Sequence, residues 1–182
     1  MSFPTKPCYI KYLDNGWEKS REHPVMAWHE KYCNLVDSRA FDTPYSDWHT
    51  DDFELHKADG TIVRGGKEAW EALGDIYRPF AANLHDPVFP ICWETENGWE
   101  MMGWAYVCID LPVPGDQPKV KDRYGKEWDV IIPGAFKFEY VRDPSAKYDG
   151  IKFKKMEIFY DTGPALKRML QRGMIKPEEL MQ

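Results

Sequence analysis

Two side chains in this sequence stand where acid–base chemistry is readily built. His85 carries an imidazole, which takes or gives a proton near neutral pH with modest tuning, and it lies in Asn83-Leu84-His85 just ahead of a strand starting near Val88. Asp161 follows the apolar strand Ile151 to Tyr160, and a helix begins within a few residues. A carboxylate at the mouth of a half-buried strand is costly without a partner, and beside a desolvated cavity it becomes a stronger base than in water. The natural pairing is His85 with Asp161 as its partner or as a second base. Each has a plainer alternative. His85 can cap the preceding helix or satisfy a backbone carbonyl, and Asp161 in Asp-Thr-Gly-Pro reads as a turn that launches the last helix. Glu139 and Glu157 fall mid-strand, and strand parity puts Glu157 on the same face as Asp161.

The elements that must position these groups can be read from periodicity. Residues 1–19 form an N-terminal arm with little periodicity, and its Phe3, Tyr9, Tyr12 and Trp17 are expected to pack onto the domain. Residues 20–173 form one domain, and 174–182 a C-terminal tail. Pro24 opens a helix with Val25, Trp28, Tyr32, Leu35 and Val36 on one face, ending near Arg39. A short helix is expected from Pro44 to His49. Phe53 to Lys57 and Thr61 to Arg64 make a hairpin across Asp59-Gly60. Gly65-Gly66 releases the chain into a helix carrying Trp70, Leu73, Tyr77 and Phe80 on one face. Strands follow at Val88–Glu94, Met101–Leu111, Trp128–Glu139 and Ile151–Tyr160, then a helix over Pro164–Gln171 stopped by Gly173. The order gives an α+β class, helices gathered on one side of a curved antiparallel sheet. The fifteen residues from Pro112 to Lys126 exceed a hairpin turn, so that loop is either a flap over a site or a mobile excursion.

Composition narrows the function classes. The 182 residues suit one core, and the 15% aromatic content exceeds what such a core requires, so some rings are expected to line a cavity. The candidates are Trp48, Trp70, Trp104, Tyr106, Phe136, Phe138 and Phe159, with ordinary packing as the alternative for each. A net charge of −6 without a basic run argues against nucleic acid and against a basic membrane-surface helix. Cys8, Cys33, Cys92 and Cys108 are scattered, no apolar run approaches the roughly 20 residues of a membrane span, and the chain opens on polar MSFPTKP. A cytoplasmic protein with reduced thiols is expected. Gly65-Gly66-Lys67 is not a phosphate loop, because Thr61 stands where that motif needs glycine. No other cofactor motif occurs, and neither cofactor nor metal is expected.

Four segments, in order and spacing, resemble the SnoaL-like branch of the nuclear transport factor 2-like superfamily. EKYCNLVD is similar to the first helix of ketosteroid isomerases. DGTIVRGGKEAW resembles the approach to the third helix. Asn83-Leu84-His85 matches the place of a pocket His in scytalone dehydratases, and MEIFYDTGPAL resembles the final strand and turn. The likeness runs from about Val25 to Leu170. The arm, the Pro112–Lys126 loop and the KPEELMQ tail depart from the minimal pattern.

The resemblance implies a cone-shaped fold, its curved mixed or antiparallel sheet wrapped around helices with a deep pocket. It implies a cofactor-free enzyme that isomerises, dehydrates or cyclises a small hydrophobic polyketide- or terpenoid-like molecule, and a homodimer through the open sheet face. His85 would be the acid/base and Asp161 its partner. Tyr32 or His56 would donate a hydrogen bond to a developing oxyanion, and Glu157 would join the aromatic lining. For Tyr32 a core role with a satisfied hydroxyl is the alternative. The carboxylate base of ketosteroid isomerases falls near His56-Lys57, which disfavours that exact activity. The second pocket His of the dehydratases falls near Ala105. The rival is a non-catalytic ligand carrier or dimerising adaptor, and an adaptor would seal its cone and leave His85 and Asp161 apart.

Overall fold

The computed structural model describes residues 7–14 and 16–180; Phe3 of the expected arm lies outside them. The arm does pack onto the domain. Its strand β1 (Tyr9–Ile10) adds to a sheet edge, and Leu13 is buried. Pro24 presets the first turn of α1 (Pro24–Asp37), which buries Val25, Trp28, Tyr32 and Val36. The segment expected to be a short helix is a single 3₁₀ turn, Tyr45–Asp47, and β2 (His49–His56) has begun by His49. Exposed Asp51 and Asp52 and a register shift between His49 and Glu54 interrupt the alternation there, which hid the first half of this strand.

After β3 (Ile62–Arg64), α2 (Gly66–Tyr77) buries Ala69, Trp70, Leu73 and Tyr77. Next come β4 (Ala82–Glu94) and β5 (Gly98–Asp110), two short strands β6 (Val120–Lys121) and β7 (Glu127–Trp128), then β8 (Val130–Arg142), β9 (Ile151–Tyr160) and α3 (Gly163–Gln171). β4 begins six residues before the expected Val88, so His85 lies on a strand and not ahead of one.

The main sheet has the order β1-β4-β5-β8-β9-β2-β3. Its β4-β5-β8-β9 meander is antiparallel, and β2 runs parallel to β9, so the sheet is mixed. Along β5, Met101, Ala105, Val107 and Ile109 face inward, while Met102 and Trp104 face out. The inner face packs against α1 and α2, and a second apolar cluster, including Val107, Ile109 and Ile132, lies under Ala165 and Met169 of α3.

The Pro112–Lys126 loop is tethered. Its β6 pairs with β7, and the Arg123 guanidinium donates to the carbonyls of Leu13 and Pro87 and to the Asp86 carboxylate. It arches over the outer sheet face, above a cleft of about 420 Å³ lined by Asp86, Tyr106, Cys108 and Ile131. Among the described residues, no helix is long and apolar enough to cross a membrane.

Candidate active site

α1 ends at Asp37. The Ser38 amide caps the last turn by donating to the Asn34 carbonyl, the Arg39 amide donates to that of Val36, and Arg39 takes φ +60°, turning the chain away. From there the Arg39 guanidinium donates to the carbonyls of Phe80 at 2.6 Å, Ala81 at 3.4 Å and Arg78 at 3.3 Å. That fork ties the end of α1 to the segment feeding β4, whose inward-facing His85 is thereby brought to Asp37.

The two side chains form a dyad. His85 Nδ1 lies 2.6 Å from Asp37 Oδ1, with only 13% and 14% of the side chains exposed. The carboxylate also accepts the His85 backbone N–H at 3.1 Å to each oxygen and Asn83 Nδ2 at 2.9 Å. An ionised carboxylate only accepts, so Nδ1 carries the proton and the lone pair of neutral His85 sits on Nε2. Nε2 is 2.7 Å from the Tyr77 hydroxyl. Burial pushes the Tyr77 phenol well up, so it stays protonated and donates to Nε2.

Two internal spaces meet at this point. A small one of about 30 Å³ lies beside the dyad, bounded by His29, Tyr32, Phe138, Met156 and Ile158 among others. A larger apolar chamber of about 230 Å³ lies between the end of α2, the inner faces of β5 and β8, and α3. Tyr77 and Tyr160 line both. Among the described residues, no cluster of three or more His, Cys, Asp or Glu side chains could hold a metal.

The expected His85–Asp161 pair does not form. Asp161 is exposed at the start of α3, where its Oδ1 accepts the Gly163 N–H at 3.0 Å, the turn-forming role weighed as its alternative. Strand parity explains this: Ile158 and Tyr160 point in, so Phe159 and Asp161 point out. The same rule removes His56 from the interior. Phe53 and Leu55 are buried, whereas His56 Nε2 lies 2.9 Å from Glu54 Oε2 on the outer face. Glu157 is on the outer face with Lys155 at 2.9 Å, and Glu139 is beside Lys137 there.

The expected aromatic lining divides likewise. Trp48, Trp70, Phe136 and Phe138 are buried, and of these Phe138 borders the dyad space. Trp104 is 40% and Phe159 59% exposed on the outer face, and Tyr106 lines the outer cleft. Tyr32 borders the small space, but its hydroxyl is bound to His49 Nε2 at 2.9 Å. Two buried histidines went unnoticed in the sequence, His49 and His29. His29 Nδ1 meets the Tyr140 hydroxyl at 3.1 Å, and burial pushes both imidazoles down to about 3. Asp37 was also missed, although an acidic residue in the last turn of a helix, against the macrodipole, is itself a signal.

No family model and no curated protein matches the chain. Solved structures do. A nuclear transport factor 2-like superfamily protein from Salmonella enterica serovar Typhimurium superposes with a TM-score of 0.57 at 10% identity, over 77% of this chain and 90% of that one. A proposed scytalone dehydratase from Novosphingobium aromaticivorans gives 0.57 at 15% identity, over 79% and 85%. A hexachlorocyclohexane dehydrochlorinase gives 0.56 at 15% identity, over 82% and 88%. The chain therefore has the α+β fold of the nuclear transport factor 2-like proteins, to which SnoaL-like proteins also belong.

Proposed function

We propose that this protein is a cofactor-free enzyme that moves a proton on a small hydrophobic, oxygenated molecule. The observation that carries the reading is the His85–Asp37 dyad, whose Nε2 meets the Tyr77 hydroxyl at the edge of an apolar interior. Asp37 fixes the tautomer and stabilises the imidazolium formed when Nε2 accepts a proton, and the dry surroundings strengthen that interaction. The Tyr77 hydroxyl must swing off Nε2 for a carbon acid to reach it. Two of the structural neighbours carry names for eliminations, loss of water and of hydrogen chloride, and both reactions begin or end with removal of a proton from carbon. Isomerisation, dehydration and aldol-type cyclisation of polyketide- or terpenoid-like compounds need the same base. A chamber of about 230 Å³ suits one or two rings.

The apolar chamber also favours a second reading, a carrier that binds such a molecule without turning it over. Proton exchange separates the two. Wild-type protein incubated in D2O with a panel of one- and two-ring ketones should label the carbons next to the carbonyl, and His85→Ala should abolish the labelling. Equal labelling by both proteins would remove His85 as the base.

We also propose a homodimer through the outer sheet face. Phe89, Trp104, Ala135 and Phe159 are cross-strand neighbours in one row over four strands, and the Tyr12 ring lies tilted against Phe89 with centroids 4.5 Å apart. An exposed apolar row of this kind fits an isologous contact.

A further inference from the structure

The last strand carries its chemistry one residue before the conspicuous carboxylate. Tyr160 points inward, lines both internal spaces, and stands with Tyr77 at the boundary between the dyad and the apolar chamber. Its register partner on β8 is Gly134, and a β-carbon at 134 would overlap the Tyr160 ring. A glycine inside a long strand weakens the strand, so its presence under a ring that crosses the backbone marks a built position for that ring. Burial pushes the Tyr160 phenol up and no hydrogen bond contributes, so the hydroxyl stays protonated and, among the described residues, has no partner. Tyr77 donates to His85 and Tyr32 is engaged by His49, which leaves Tyr160 as the phenol at the boundary with a donor to spare.

We propose that Tyr160 is a catalytic hydrogen-bond donor to the carbonyl oxygen of an apolar one- or two-ring ketone, and that Gly134 is the residue that admits its ring. The inference rests on the proton-transfer reading and supplies its missing electrophile. His85 Nε2 takes the proton from the carbon next to the carbonyl. The electrons of that C–H bond form the carbon–carbon double bond of an enolate, the carbonyl π pair moves onto oxygen, and the Tyr160 O–H holds the oxygen. Returning the proton from the His85 imidazolium to another carbon isomerises the substrate; handing it instead to the β-hydroxyl, as the enolate re-forms the carbonyl and its carbon–carbon pair shifts to break the C–O bond, releases water and dehydrates it. No oxidant or metal is needed for the balance.

The test uses two probes of similar size, 2-naphthol and naphthalene, with affinity measured by fluorescence titration of the full-length protein. Wild type should prefer the naphthol by about tenfold, the worth of one buried hydrogen bond. Tyr160→Phe should lose about that factor on 2-naphthol and move naphthalene by less than about twofold. Gly134→Ala, by displacing the ring, should lose the same preference. Replacing Tyr160 with 3-fluorotyrosine, a stronger donor of nearly the same size, should raise the preference and covers the case in which the other variants fold poorly. An unchanged naphthol preference in Tyr160→Phe overturns the proposal, as does failure of wild type to bind either probe. The deuterium assay keeps the two readings apart. Exchange lost in His85→Ala but unaltered in Tyr160→Phe defeats the role of Tyr160 alone, and exchange retained in His85→Ala defeats the base.

Discussion

Asp37 occupies an unfavourable place, the last residue of α1, where the helix macrodipole opposes a negative charge. The donors that surround it, the ring and backbone N–H of His85 and the Asn83 amide, offset that cost and aim the carboxylate at Nδ1. Asp37→Asn keeps the shape but replaces an acceptor-only group, so the tautomer is no longer fixed. Proton-transfer activity should fall by about 10²–10⁴, read as the initial rate of deuterium exchange. His29 and His49 act on stability instead. In the unfolded chain they titrate near 6.5, while burial holds both down at about 3 in the fold. The unfolded state therefore binds protons first, so stability is flat above about pH 7 and falls as pH drops from about 6.5 toward 3. The loss is up to about 1.4 kcal/mol per pH unit for each imidazole. His49→Gln should remove about one proton's worth of that slope in urea titrations across this range. Neither histidine was legible as a buried group. His49 stood in a segment without alternation, and His29 stands beside Trp28 on α1 with no motif around it.

At the level of elements, α3 closes the apolar chamber and is latched from its C-terminal end. The Arg172 guanidinium holds Asp129 bidentately, at 2.8 and 2.7 Å, and donates to the Val113 carbonyl at 2.7 Å, while Arg168 reaches Pro118. The Arg172 and Asp129 side chains are 3% and 5% exposed, and the ion pair holds the Asp129 carboxyl below its usual range. Arg172→Ala leaves that buried carboxylate with the Leu111 N–H at 2.8 Å and Lys119 at 3.8 Å, and should cost about 3 kcal/mol in chemical denaturation. Arg172→Ala with Asp129→Ala should cost less than the sum of the single changes. The long elements were largely legible, because α1, α2, β5, β8 and β9 keep their 3.6- or 2-residue periods. What periodicity could not supply was facing. One residue decides whether Asp161 or Tyr160 looks inward, and the early start of β4 moved His85 from a loop onto the inner face.

Taken as a whole molecule, the sheet has two unlike faces, an inner one covered by helices around the dyad and an outer one bearing Trp104, Phe159 and Met102. If the outer row is the dimer contact, light scattering should give twice the chain mass. Trp104→Glu combined with Phe159→Glu should give a folded monomer whose deuterium exchange persists, since neither side chain reaches the interior. The pairing of His85 could not be deduced from the sequence because Asp37 and His85 are joined only through tertiary structure, by the Arg39 fork and the β4 register. The most direct measurement is the deuterium-exchange rate of Asp37→Asn and Asp161→Asn beside wild type, on the ketone that wild type labels fastest. The dyad predicts a loss of about 10² or more for Asp37→Asn and a rate within about twofold of wild type for Asp161→Asn. The reverse order, or no loss in either, would contradict it.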